Sequence, residues 1–408
     1  MNRSPGLPLV VAGAALSLLA GCGFAGEEAP RDGVRLGDAV LAVQLSASGG
    51  AIAAAEGEEL TARLVLVAPD GTARDVPSAP VRGGAPVWTA EALYAADTEN
   101  HYRISDEGTG LTRTGTDDHL IAGVPSGVGD SIRWASAALD GDAPWTTVTS
   151  QMADQSSSGR GVGRAVHALA TCDDGVYAVA GGLTHRRADT VAPEDLAAAA
   201  ADEALVSFHI REWDASEQRG TSAPDDAASG THTIAPCVDG VVHRLVYARA
   251  DRARVTGDDA ALVLRSWDTR VGKRAEVALH GGGVESLAEG DVPGGIQADA
   301  MSVVEGTMHW YDEAGGRLWA TTLADGASRV VATVSPAEAE GAIVRVVFGP
   351  ASALVLTIRD EVGAPATLSR VDLATGTSTA EMSIAALTSD ALEGAPVEGI
   401  AVRPDLRR

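Results

Sequence analysis

The chain has 408 residues, with 31 Lys and Arg against 56 Asp and Glu and a formal charge of −25. Phosphate recognition needs clustered positive charge, so nucleic-acid binding is excluded as a function class. Hydrophobic residues make up 45% and charged residues 21%, enough apolar side chains for a packed core and too few charges for a disordered polyelectrolyte.

From the N-terminus, Met1-Asn2-Arg3 is a short basic start and Leu7 to Ala20 is an apolar run of about 14 residues. That is signal-peptide length, short of the about 20 residues a membrane span requires. The run ends in Leu19-Ala20-Gly21-Cys22, which resembles the lipobox of bacterial lipoproteins. The resemblance implies cleavage before Cys22, a diacylglycerol on its thiol, and anchoring at the outer face of the cell membrane through lipid alone. Residues 1–21 are then a signal peptide, 22–37 a lipidated cysteine and a Gly-, Pro- and Glu-rich tether, and 38–408 the folded body. Lys273 is the only lysine, and Ala and Gly abound, a usage similar to GC-rich actinobacterial coding.

The body is written in strand grammar: LVLVAPDG at 64–71, LVLRSWD at 262–268 and VRVVFGP at 344–350 are short β-branched runs ending in Asp, Gly or Pro. Similar turns recur at Ser46–Gly49, Ser105–Gly108, Cys172–Gly175, Cys237–Gly240 and Val303–Gly306, their glycines 59, 67, 65 and 66 residues apart. Asp70-Gly71, Asp140-Gly141, Asp214, Asp268, Asp325-Gly326 and Asp372 mark second hairpins. Two hairpins per unit make a four-stranded meander, and the chain resembles an all-β, β-propeller repeat protein. Six blades are counted, with seven as the alternative because residues 79–120 leave room for a short extra one. Val397–Val402 reads as a closing strand, Pro193 to Asp202 as a helical insertion, and Gln151 to Gly163 as a flexible loop between blades.

In a propeller, equivalent turns of neighbouring blades lie close together, so Cys172 and Cys237, each three residues before a turn glycine, are expected to form a disulfide stabilising by about 2–4 kcal/mol. His243 and His309 fall in one register, but two imidazoles fall short of the three protein ligands of a catalytic zinc, and no metal site is expected. His185, Arg186 and Arg187, and one unit later Arg249, Arg252 and Arg254, fall between second and third strands. Connections of that kind share one face of a propeller, where arginine forks would suit an anionic small ligand, against the plainer alternative of neutralisation by neighbouring aspartates. The pairs Asp117-Asp118, Asp173-Asp174 and Asp258-Asp259 offer at most loose Ca²⁺ contacts, turn duty being the ordinary role of aspartate there.

The sequence contains no H-E-x-x-H, C-x-x-C or Gly-x-Ser-x-Gly, and its one lysine rules out a phosphate-binding Gly-Lys-Ser/Thr loop. The expectation is a membrane-tethered extracytoplasmic propeller that binds a cell-envelope protein or a small ligand, without an obligate cofactor. The alternative is an extracytoplasmic propeller hydrolase or lyase with carboxylates at the channel mouth.

Overall fold

The computed structural model describes residues 34–46, 62–78, 84–97, 100–113, 119–127, 130–137, 147–151, 157–161, 165–181, 204–209, 215–218, 233–249, 260–288, 295–334, 342–389, 391–392 and 395–407. Strands dominate these residues, and no described helix is long and apolar enough to cross a membrane. The strands form seven antiparallel sheets. The first contains β1 (Leu41–Leu45), β2 (Ala62–Val67) and β3 (Ala73–Ser78), and the second β4 (Val87–Trp88), β5 (Leu93–Ala96), β6 (Asn100–Ile104) and β7 (Thr109–Arg113). The third has β8 (His119–Pro125), β9 (Ile132–Ala137), β10 (Thr147–Gln151) and β11 (Ser157–Gly161), and the fourth β12 (Ala165–Cys172), β13 (Gly175–Gly181), β14 (Ala204–His209) and β15 (Ala215–Gln218). The fifth holds β16 (Cys237–Val238), β17 (Val241–Arg249), β18 (Ala260–Asp268) and β19 (Lys273–Ala278). In the sixth, β20 (Ile296–Gln297) and β21 (Val303–Val304) both pair with β22 (Thr307–Asp312), followed by β23 (Arg317–Thr322) and β24 (Ser328–Thr333). The seventh is β25 (Ile343–Phe348), β26 (Ser352–Ile358), β27 (Ala366–Asp372) and β28 (Ser378–Ile384). The last strand, β29 (Val397–Val402), returns to pair with β1 and completes the first sheet.

Strand alternation turns these sheets into a ring. Along β1, Leu41, Val43 and Leu45 pack with Leu354, Leu356 and Ile358 of the seventh blade, while Ala42 joins Leu93, Ala95 and Ile104 of the second. Because successive side chains point to opposite faces, one strand serves two cores. The same holds around the circle: seven apolar clusters each lie between consecutive blades, including the pair formed by the last and the first. The body is therefore a β-propeller, its ring closed by β29 beside β1 and its sheets left with only short, protected edges. Seven sheets are present among the described residues, the count kept above as the alternative, and residues 79–120 do contain the short extra blade, β4–β7.

Aspartate sets the hairpins between third and fourth strands. Asp70, Asp268, Asp325 and Asp372 each accept the backbone N–H two residues on, from Thr72, Arg270, Ala327 and Ala374, at 2.9, 3.0, 3.0 and 3.0 Å. All four turns carry a glycine at positive φ, Gly71, Gly272, Gly326 and Gly376, and at three of them, Gly71, Gly326 and Gly376, the tip abuts a carbonyl of the preceding blade's outer strand region: Ser383, Ala278 and Val331. A Cβ would stand 2.1–2.3 Å from those oxygens, so glycine is needed both for the turn and for the approach.

The structure corrects one element: Gln151 ends β10 and Ser157–Gly161 forms β11, so the segment read as a loop is a hairpin edge, held by pairing to β10. At the start of the body, Leu36 N–H bonds the Ser105 carbonyl at 3.1 Å and Thr109 Oγ1 donates to the Val34 carbonyl at 2.7 Å. Residues 34–37 are thus fixed on the second blade. The helical insertion expected at 193–202 lies outside the described residues.

Candidate functional site

Where the innermost strands converge they leave a cavity of about 370 Å³, within the range of small-molecule sites. Its wall is mostly apolar, with Trp88 from β4, Val124 from β8, Ile234 from the lead-in to β16, Val346 from β25 and Ile400 from β29. Into this wall project Gln297, Asp299, Glu313, Arg345, Glu398 and Arg407.

Glu398 owes its place to an irregularity in β29. Gln44 pairs with Gly399 and Leu45 with Val397, so Glu398 is the extra residue of a β-bulge, a device that bends a strand and re-aims a side chain. The Val397 carbonyl accepts Arg345 Nε and Nη2 at 3.0 and 2.6 Å, which pins the bulge to β25. Gly399 next to it is required by close packing, because a Cβ there would fall 2.4 Å from the Ala85 side chain.

Arg345 Nη1 also lies 3.4 Å from Glu313 Oε1, which accepts Gln297 Nε2 at 2.6 Å. Asp299 sits in the tight connection after β20: its carboxylate accepts Met301 N–H at 2.8 Å and, across to the seventh blade, Phe348 N–H at 2.9 Å. Burial pushes its carboxyl above the ordinary range, opposed by the charge of Arg407 and by these two N–H groups. Arg407 comes from the C-terminal 3-10 turn Pro404–Arg407, with Nε donating to the Val402 carbonyl at 3.2 Å. Burial lowers its guanidinium, and Asp299 opposes that shift.

The charges therefore sort into one ion pair, Glu313 with Arg345, one carboxylate and one guanidinium that influence each other without direct contact, Asp299 and Arg407, and one carboxylate, Glu398, with no hydrogen bond or ion pair among the described residues. No sequence motif marks these positions; the signal available was the closing strand Val397–Val402, whose one acidic residue, Glu398, interrupts an otherwise non-polar run.

Cys172 and Cys237 are joined, with Cα atoms 5.3 Å apart, linking the end of β12 to the start of β16. Backbone bonds reinforce that junction, Leu169 N–H to the Thr233 carbonyl and Ala235 N–H to the Leu169 carbonyl, at 2.9 and 2.8 Å. Cys22, His185, Arg186, Arg187, Arg252 and Arg254 lie outside the described residues, as do Asp117-Asp118 and Asp258-Asp259; of Arg249 only the backbone, at the end of β17, is described. Asp174 accepts the Tyr177 hydroxyl at 2.7 Å within its turn. His243 and His309 occupy the second strands of the fifth and sixth blades; burial lowers both to about 4, so both are neutral at pH 7. His243 Nδ1 is 2.8 Å from Ser266 Oγ, and no group of three or more metal-binding side chains is found among the described residues.

No protein-family model matches the chain, and no curated protein matches it. Among solved structures, a Bacteroides uniformis protein named as a 6-phosphogluconolactonase is similar with a TM-score of 0.49 at 11% identity, over 85% of this chain and 98% of its own. Synechocystis apocarotenoid oxygenase is similar with a TM-score of 0.47 at 8% identity, over 86% of this chain and 91% of its own. These are likenesses of fold, and the activities in the names are those proteins' own.

Proposed function

We propose that the chain is a lipid-anchored, extracytoplasmic β-propeller that binds a small ligand in the cavity at its hub. In this proposal residues 1–21 are removed as a signal peptide, Cys22 carries the lipid, and the body works at the outer face of the cell membrane. The lipobox-like Leu19-Ala20-Gly21-Cys22 after a short apolar run supports the anchor. One observation carries the binding role: a preformed apolar cavity into which a bulge aims a carboxylate without a described partner.

Binding is favoured over hydrolysis or lyase chemistry by what the other carboxylates do. Asp299 accepts backbone N–H groups at both oxygens; Glu313 is bonded to Arg345 and Gln297. Groups held in this way orient and neutralise each other and leave no obvious acid–base pair.

The test compares the full chain with Thr233→Trp, which introduces bulk at an exposed residue of the cavity rim. A thermal-shift panel of small amines, acids and sugars is expected to contain at least one class that raises the wild-type Tm and leaves the Thr233→Trp Tm unchanged. A panel that moves neither protein removes the binding role. For the anchor, mass spectrometry of the chain from the membrane fraction is expected to show an N-terminus at Cys22 carrying the lipid mass, absent from Cys22→Ser; a wild-type chain without that mass would refute it.

A further inference from the structure

Resting on the hub cavity as the binding site, we infer that its ligand class is a small organic cation, an amine with an apolar body, for which Glu398 is the counter-ion. The lining carries three carboxylates, Asp299, Glu313 and Glu398, against two guanidiniums, Arg345 and Arg407; Glu313 is paired with Arg345 and Asp299 accepts two backbone N–H groups, so Glu398 is left over and a guest of charge +1 balances the site. An anion would face an unmatched carboxylate in a wall of low polarity, at a cost no group there offsets. A neutral guest would leave the carboxylate desolvated without an ionic partner.

The wall argues for the rest of the guest. A hard divalent ion takes six or more oxygens, whereas this cavity offers one uncommitted carboxylate amid apolar side chains. Such a wall is matched by a hydrocarbon body. Trp88 lines the same space, and indole is the aromatic that best attracts cations. The bulge adds an independent indication. Regular pairing would have kept the ladder through residue 398, and the extra residue instead puts a carboxylate at the hub, its neighbouring carbonyl tied down by Arg345. A net charge of −25 also draws cations toward the body.

Three probes with one apolar body and different head groups decide the matter: phenethylamine, phenethyl alcohol and hydrocinnamate, titrated calorimetrically into the full chain in neutral detergent. The amine is expected to bind about tenfold or more tighter than the alcohol, with the acid weaker still. Glu398→Gln is expected to weaken the amine by about tenfold while the alcohol binds no more weakly than before, and Glu398→Asp, which keeps the charge, to retain the preference. Alcohol binding as tight as amine binding, or a Glu398→Gln protein that still prefers the amine, overturns the cation assignment and leaves the cavity a binding site. Binding of none of the three at about 10 mM, where even affinities near −3 kcal/mol register, removes both.

Discussion

At Gly376 the side chain that is missing matters more than any that is present. Its φ of +70° and the carbonyl of Val331, 2.2 Å from where a Cβ would sit, make Gly376→Ala a double penalty. The left-handed backbone costs about 1–2 kcal/mol, and the clash is with backbone, which cannot rotate away. Chemical denaturation is expected to show a loss of at least about 2 kcal/mol, and Gly71→Ala, built alike against Ser383, should lose as much. A loss below about 0.5 kcal/mol would mean that the turn tip is not pressed on its neighbour. Histidines supply the second prediction at this scale. His101, His243 and His309 are each lowered to about 4 by burial, with the charge of Arg329 adding to the shift at His309. Between about pH 6.5 and pH 4 the unfolded chain binds more protons than the folded one, so stability is present above that window and lost as pH falls through it. Asp299, raised by burial, acts in the opposite direction, while Asp70, Asp268, Asp372 and Asp405, held low by hydrogen bonds, contribute only below about pH 4. A Tm that declines steadily from pH 7 to about pH 4.5 is expected; a flat profile would contradict three buried neutral imidazoles.

Between neighbouring elements, the Cys172–Cys237 bond closes a span of 65 residues across two blades. Loop-closure entropy puts its contribution at up to about 4 kcal/mol. Cys237→Ser, or reduction of the wild type, is therefore expected to lower Tm by roughly 5 °C in differential scanning calorimetry, and an unchanged Tm would show that the backbone junction at Leu169 suffices. That bond was legible because both cysteines stand three residues before the glycine of a first-to-second strand turn. The blade count was less legible because similar turns do different jobs. Ser105–Gly108 has the same look as Cys172–Gly175 but joins the third and fourth strands of its blade, β6 and β7. The near-constant spacing counted from it was a slip of phase. A two-residue inner strand, Val87–Trp88, offered no periodicity to reveal its blade. β11, Ser-Ser-Gly-Arg-Gly, has low strand propensity and exists because β10 pairs with it. The cavity was the least legible part, since its lining comes from segments scattered between Ala85 and Arg407 and depends on a bulge that appears only in pairing register.

The ring as a whole depends on its last strand. β29 contributes Val397, Ile400 and Val402 to the core between the first and seventh blades, and pairs with β1 along its length. A chain ending before Val397 is expected to lose its cooperative thermal transition and its near-ultraviolet circular dichroism, and a synthetic peptide of residues 397–408 added in trans should restore part of both. Retention of a sharp transition by the truncated chain would mean that closure is dispensable. Leu41 and Val402 pair although 361 positions separate them. At synthesis rates of about 5–20 residues per second, β1 waits roughly 20–70 s for its partner. Throughout that interval Leu-Ala-Val-Gln-Leu, buried at every position in the finished ring, presents an apolar edge that invites pairing with other chains. Time, then, is the hazard of this architecture: the first described strand to be made is satisfied by the last, and safe production depends on shielding that edge until β29 is made.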